Sequence, residues 1–337
     1  MDQHYRPLPG TPVEELDTPC LILDMDSIDH NMDVMSNYYA GQSSNLRPHS
    51  KNHKTPALAH RQIRRGGTVG GVCAAKVAEA EVMVHGGIPS VLITSEIIAP
   101  LKIQRLCALA RQAQMIVACD SLQNAQDLSV AAAAAGVGLG VLIEIETQMH
   151  RCGVQDVEQG VALAQGIHSL PGLTFRGIMS HQMIPPMEDR EDRVTEGRRM
   201  IQTVIDLKDA IVAAGIPVEI VSTGETWSYD VAGEIPGVTE VQGGSYLVME
   251  TKYSYMSDFQ YAGKVLTTII STPRPGIAVG DAGARAVGAL RMPVVDNRPG
   301  VTVESLDTDH TIFRLADGVE LNIGDQLALI PGQQDAM

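Results

Sequence analysis

Apolar residues in this chain gather in short runs of about four to seven. Each run is followed by a longer stretch whose apolar positions recur at helical spacing. The runs lie at residues 20–24, 45–49, 68–72, 90–94, 115–119, 138–144, 173–179, 218–222 and 239–242. Helical or alanine-rich patterns separate them: one starting at Asp26-Ser27, then residues 56–65, 75–85, 99–112, 122–135, 157–167, 189–214 and 227–234. The first six runs begin at residues 20, 45, 68, 90, 115 and 138, the steady rhythm of repeated strand–helix units. Their nearly continuous apolar character predicts strands buried on both faces, hence a parallel sheet. Eight or nine such units favour a (β/α)8 TIM-type barrel. The count exceeds a barrel by one, so the first strand is expected to belong elsewhere.

From about Lys264 the pattern changes. Short runs at residues 265–270, 277–279, 286–290, 301–303, 311–315 and 326–330 are separated by turns rich in Pro, Gly and Asp, such as 273–276, 297–300 and 316–318. These read as strands of a smaller, mostly antiparallel β domain. Residues 1–18 read as an irregular arm.

Composition narrows the function. With 337 residues, 44% hydrophobic and 19% charged, the chain is that of a globular protein. A net charge of -15 argues against nucleic-acid and anionic-membrane partners, which require a basic face. The five cysteines are widely spaced, and the first twenty residues hold no apolar core of a signal peptide. Reduced thiols and a cytoplasmic setting are expected.

The candidate chemistry sits at strand ends, where a barrel places its active residues. Leu46-Arg47-Pro48-His49-Ser50-Lys51-Asn52-His53-Lys54 follows the second run and packs two lysines and two histidines together. A lysine there, its pKa lowered by cationic neighbours and partial burial, suits attack on a carbonyl; a solvated basic run is the competing reading. His150-Arg151-Cys152-Gly153 follows the sixth run. Ser222-Thr223-Gly224-Glu225-Thr226 and Gly243-Gly244-Ser245-Tyr246 are late, glycine-rich turns that can offer N–H groups to a phosphate. Lysine and phosphate cradle together suggest a phosphate-bearing aldehyde held as a Schiff base, the logic of pyridoxal phosphate.

Asp17-Thr18-Pro19-Cys20 through Asp24, the Arg47-Pro48-His49-Ser50-Lys51 element, residues 72–79, Arg151-Cys152-Gly153-Val154, residues 241–246 and Asp281-Ala282-Gly283 together resemble the D-threonine aldolase / D-serine dehydratase-like family. These are fold-type III pyridoxal 5'-phosphate enzymes related to alanine racemase. The resemblance runs from about residue 16 to the C-terminus, with the Arg-Pro-His-x-Lys element its most specific part. It implies a cofactor-binding barrel over residues 18–262 and a β domain over 263–337 that recruits the strand near 20–24. It makes Lys51 the Schiff-base lysine and Lys54 a neighbour without that role. It makes Arg151 the active-site arginine, places Tyr246 at the cofactor end, and assigns the phosphate to Gly224, Thr226, Gly244 and Ser245. It also implies a homodimer.

Three departures stand out. Family members bind a divalent cation through a Pro-x-His-x-Cys or Pro-x-His-x-Asp tail, whereas the oxygen donors left in this chain favour Mn2+, Mg2+ or Ca2+ over Zn2+. Here the tail reads Pro331-Gly332-Gln333-Gln334-Asp335, so only Asp335 and a neutral Gln333 carbonyl remain as metal candidates. Where relatives carry Tyr-His-Gly, this chain has Ser180-His181-Gln182-Met183. His181 then contacts the cofactor ring, serves as base on a substrate hydroxyl, or is a structural histidine. Thr223-Gly224-Glu225-Thr226 replaces a Gly-Gly-Gly-Thr pattern, and Glu225 is expected to point away from the phosphate, because a second anion there is costly.

The leading expectation is a carbon–carbon lyase that cleaves a β-hydroxy-D-amino acid into glycine, or another small amino acid, and an aldehyde. Lys51, His181 and Arg151 are its catalytic candidates. Asp335 matches the aldolase form of the tail. The alternatives are a D-serine or 3-hydroxy-D-amino-acid dehydratase, an amino-acid racemase of the same fold, which would need a second base at Cα, and a cofactor carrier without turnover.

Overall fold

The computed structural model describes residues 6–182 and 187–336; the first five residues of the expected arm, Met183 and Met337 lie outside these. In chain order the strands are β1 (Cys20–Leu23), β2 (Asn45–Leu46), β3 (Val72–Ala74), β4 (Ser90–Glu96), β5 (Gln114–Cys119), β6 (Leu139–Glu144), β7 (Leu173–Met179), β8 (Ile220–Ser222), β9 (Glu240–Val241), β10 (Gly263–Arg274), β11 (Ile277–Gly280), β12 (Val294–Val295), β13 (Val301–Leu306), β14 (Thr311–Leu315) and β15 (Gln326–Ile330). The chain divides into two compact units, residues 31–246 and residues 1–30 with 247–337.

In the first unit eight parallel strands run in the order β2-β9-β8-β7-β6-β5-β4-β3. The ring closes where the Cys73 N–H donates to the Pro48 carbonyl at 2.8 Å and His49 bridges Cys73 in parallel register. This is the expected TIM-type barrel. Its interior is filled by Cys73, Leu92, Ile116, Ala118, Leu142, Met179 and Ile220, all buried. Between strands run α1 (Met25–Tyr39), which begins in the other unit, then α2 (Pro56–Arg65), α3 (Val77–His85), α4 (Pro100–Leu109), α5 (Leu122–Ala135), α6 (Val157–His168), α7 (Arg190–Ala213) and the short α8 (Tyr229–Ala232). Their ends follow local rules. The Ser121 hydroxyl accepts from the Asn124 N–H to start α5, and Gly136 at φ 65° ends it. Asp156 caps α6 by accepting from the Gln159 N–H at 2.8 Å.

The second unit is an antiparallel sheet ordered β12-β15-β10-β11-β14-β13, with β1 paired to β10 in the register Cys20↔Leu266 to Leu23↔Gly263. Its core gathers Val265, Ile269, Ala278, Phe313, Leu327 and Leu329.

Two segments depart from the sequence pattern. The strand expected at 68–72 forms only at Val72–Ala74, because Gly70 takes φ 74° and Gly71 lies where a Cβ would meet the Ser90 carbonyl at 2.6 Å. The strand expected at 286–290 is instead α9 (Ala284–Val287), followed by Gly288 at φ 73°. The alanines there carry no side-chain entropy cost against a helix. No helix among the described residues is long and apolar enough to cross a membrane.

The arginine of the Arg-Pro-His-x-Lys element belongs to the barrel itself. Arg47 is 3% exposed and makes a bidentate pair with Glu240 of β9, at 2.7 and 2.5 Å. Removing one member of a buried pair strands the other charge and costs about 3–5 kcal/mol, whereas replacing both by apolar groups is near neutral. Arg47→Met is therefore expected to lower the barrel's urea-unfolding stability by about that amount. Arg47→Met/Glu240→Leu is expected to recover most of it, measured by the same unfolding curves.

Candidate active site

A small cavity opens at the C-terminal ends of the barrel strands. Its wall includes His49 and Lys51 after β2, Thr94 of β4, Arg151 after β6, His181 after β7 and Gln242 after β9. Lys51 sits in a 3-10 turn, Ser50–Asn52, and is half-buried, while Lys54, three residues on at φ 52°, is exposed and takes no part in the wall. The two lysines are thus separated by the turn between them.

The histidines beside Lys51 are neutral. His49 is 5% exposed; burial first, then the charge of Lys51, holds its pKa well below the usual range. Its Nδ1 accepts the Lys51 N–H at 3.3 Å, which leaves the ring proton on Nε2 to be donated to Thr94 Oγ1 at 3.1 Å. Burial likewise pushes His53 down to about 4. These two rings are protonated in the unfolded chain below about pH 6.5 but resist protonation when folded. Their contribution to stability is therefore complete above pH 6.5 and is lost as pH falls from 6.5 toward each folded pKa. The expected loss is about 1.4 kcal/mol per pH unit per histidine in that window. Urea unfolding at pH 7 and pH 5 measures it, and His53→Asn should remove the share of His53.

His181 is held by Glu225. Its Nδ1 lies 3.2 Å from Glu225 Oε1, and the two side chains are 17% and 11% exposed. A carboxylate at ion-pair distance from Nδ1 favours the tautomer with the proton on that nitrogen, which leaves Nε2 as the basic atom. The Glu225 carboxylate also caps the 3-10 turn Thr226–Ser228, while the Ser228 hydroxyl accepts the Glu225 N–H at 2.9 Å. Gln182 organises the same corner. Fully buried, it donates to Thr223 Oγ1 at 2.7 Å and accepts the Gly224 N–H at 3.0 Å.

Arg151 is 46% exposed on its side chain, and its guanidinium lies 3.3 Å from Glu144 Oε1 at the end of β6. The two late turns come together as well. Thr226 and Ser245 each head a 3-10 turn, whose first N–H groups have no intrahelical partner. Thr226 Oγ1 accepts the Tyr246 N–H at 3.1 Å, and Ser245 Oγ accepts from Asn52 beside Lys51 at 3.2 Å. Gly244 is a close approach: a Cβ there would meet Asn52 Oδ1 at 2.3 Å. Gly224 gives its N–H to Gln182 and supplies a left-handed turn at φ 84° instead. The Tyr246 side chain is fully buried, accepts from Gln62 at 2.7 Å, and is not part of the cavity wall.

A family model described as the alanine racemase N-terminal domain matches residues 23–252, and one described as a putative serine dehydratase domain matches residues 262–336. A 3-hydroxy-D-aspartate aldolase of Paracoccus denitrificans (strain Pd 1222) is 36% identical over 97% of this chain and 88% of its own length. The chain belongs to the D-threonine aldolase / D-serine dehydratase-like family. The crystal structure of D-threonine aldolase from Filomicrobium marinum superposes on it with a TM-score of 0.92 at 34% identity, covering 96% of this chain and 89% of that one. A D-threo-3-hydroxyaspartate dehydratase of Delftia sp. (strain HT23) is 27% identical over 94% of this chain and 90% of its own length.

Members of this family use pyridoxal phosphate, and the barrel mouth fits it. A half-buried lysine stands on the cavity wall, and Asn52, next to it, hydrogen-bonds the hydroxyl of a turn whose backbone is bare because Gly244 has no Cβ. The tail fits a cation less well. Gln333 and Asp335 flank Gln334, which is buried and donates to the carbonyls of Val248, Met249 and Gly263, while its own N–H reaches Glu250 at 2.6 Å. Asp335 is the one carboxylate of that element, fewer anionic donors than a protein-built cation site uses.

Proposed function

We propose that this chain is a pyridoxal phosphate-dependent lyase that cleaves β-hydroxy-D-amino acids, of the class of D-threonine and 3-hydroxy-D-aspartate, into glycine and an aldehyde. The observation that carries this reading is the juxtaposition of Lys51 and the Glu225-oriented His181 on one cavity wall. Lys51 would hold the cofactor covalently, and the turns headed by Thr226 and by Gly244-Ser245 would hold its phosphate. When bound, pyridoxal phosphate supplies an electron sink for the pair released at Cα.

The residues of this chain do the rest. Arg151, half-exposed on the wall and steadied by Glu144, offers a guanidinium to a substrate carboxylate. His181 Nε2 takes the proton of the β-hydroxyl. As it does so, the Cα–Cβ bond breaks with its electron pair left on Cα and the β-carbon leaves as the aldehyde. A proton returned to Cα completes glycine. The neutral His49 beside Lys51 adds no second positive charge to the site. We propose further that the chain works in the cytoplasm as a homodimer; five unbridged cysteines suit a reducing compartment.

Dehydration is the second reading, because the Delftia relative is named for it. It requires the β-hydroxyl to depart rather than lose its proton, and a base poised at the cavity favours proton removal. A panel of D- and L-threonine and D- and L-3-hydroxyaspartate, assayed for aldehyde, tests the proposal. Release from the D isomers supports it; release confined to the L isomers, or from none, refutes it.

A further inference from the structure

Beside the Arg151–Glu144 pair lies a cluster, Glu96, Asp120 and Cys152, that the cleavage reaction does not use. Glu96 ends β4, Asp120 follows β5, Glu144 ends β6, and Cys152 stands in the loop after β6. The donor atoms of Glu96, Asp120 and Cys152 lie within 4.8 Å of one another. The cation against them is Arg151, 3.3 Å from Glu144 and half in solvent. A second, independent feature points into the cluster. The Glu144 side chain is 4% exposed, and its Oε2 is buried with no hydrogen-bond partner, as is Glu96 Oε1. Burial and the charge of Glu96 push the Glu144 carboxyl up to about 8, and burial with the same anion pushes the Cys152 thiol up to about 11. The cluster is short of positive charge.

We propose that Glu96, Asp120 and Cys152 form a divalent-cation site beside Glu144, which ties together the C-terminal ends of β4 and β5 and the loop after β6. A cation there meets the orphaned Glu96 oxygen and offsets the converging carboxylates, Glu144 among them. Carboxylate oxygens with one sulfur suit Mn2+, Co2+ or Zn2+ better than Ca2+. Binding displaces the thiol proton, and the Glu144 proton where it is held, into solvent. Asp120 is already steadied by the Gly153 N–H at 3.1 Å. Gly153 itself, at φ 105°, has no room for a Cβ, which would meet the Glu146 nitrogen at 2.6 Å. The loop that carries Cys152 and Arg151 is thus set by the backbone, and a cation beneath it would hold Glu144, and through it Arg151, in place. The site does not depend on which β-hydroxy amino acid is cleaved.

Mn2+ and Co2+ titrations of the holoenzyme test this, with electron paramagnetic resonance counting bound Mn2+ and difference spectra reading the sulfur-to-cobalt charge-transfer band. The variants are Glu96→Gln, Cys152→Ser and, as a contrast in the tail, Asp335→Asn. Each is first checked for an unchanged circular dichroism spectrum and melting midpoint without added metal. The wild type is expected to bind one Mn2+ per chain, with affinity falling by about ten-fold or more in Glu96→Gln and unchanged in Asp335→Asn. Cys152→Ser should lose the sulfur–cobalt band. No stoichiometric Mn2+ in the wild type overturns the proposal and leaves Glu96 and Glu144 sharing a proton instead. So does a cobalt band that survives Cys152→Ser, or Mn2+ binding lost only in Asp335→Asn.

Discussion

Lys51→Ala is expected to abolish turnover, a fall of at least about a thousand-fold, while Lys54→Ala stays within about two-fold of wild type. The two lysines are three positions apart and chemically identical, so the difference is one of placement. Lys51 is half-buried on the cavity wall, with its N–H on His49 and Asn52 beside it reaching Ser245. Lys54 follows in a left-handed conformation that turns the chain outward into solvent. The same variants separate binding from reaction. Wild type and Lys54→Ala, mixed with pyridoxal phosphate, should show a visible band near roughly 410–420 nm from lysine-bound cofactor, and Lys51→Ala should not. A band that persists in Lys51→Ala and vanishes in Lys54→Ala would assign the cofactor to the wrong lysine here.

The second large effect concerns proton transfer. His181→Asn is expected to lower kcat by about 100- to 10,000-fold, the range for loss of a positioned general base, with the visible cofactor band unchanged. Glu225→Gln is expected to cost less, about 10- to 100-fold, because the amide still fills the position but no longer fixes the imidazole tautomer. Glu225 acts through His181 at 3.2 Å and is a positioning residue. Its substitution should therefore alter the pH profile of kcat as well as its height, whereas a structural defect would lower kcat evenly across pH. Equal kcat in His181→Asn and wild type would remove His181 from the mechanism.

The strand–helix rhythm and the change of texture near Lys264 made both folds legible, because burial on two faces leaves apolar runs that no other layer arrangement needs. Exceptions arose where backbone geometry overrode composition. Glycines at 70 and 71 delay β3, and the stretch at 286–290 reads as a strand by its apolar content but is a short helix at Ala284–Val287. At the site, Lys51 and Arg151 could be named because strand ends in a barrel are chemically special. The partners that give those residues their properties could not. Glu225 reaches His181, and Glu240 reaches Arg47, only through the packing of different strands. Asn52 and Gly244 meet because two loops far apart in sequence converge at the mouth. A pattern along one chain carries no record of such pairings. Tyr246 shows the converse: its place in a recognisable motif was legible, but its hydroxyl turns to Gln62 rather than into the cavity. Thr94 on the wall carried no signal of its own, since a lone hydroxyl at a strand end is common in any barrel, and Gln242 was marked only as part of residues 241–246.

The most direct test of the central claim is a product analysis with a single substrate, 3-hydroxy-D-aspartate, on which one relative is named an aldolase and the D-threo form of which names another, a dehydratase. Carbon–carbon cleavage yields glycine and glyoxylate; dehydration yields oxaloacetate and ammonia. Glycine and glyoxylate in equal amounts, without ammonia, are the expected result. Ammonia and oxaloacetate without glycine would contradict the account and make the β-hydroxyl, rather than the Cα–Cβ bond, the group this enzyme removes.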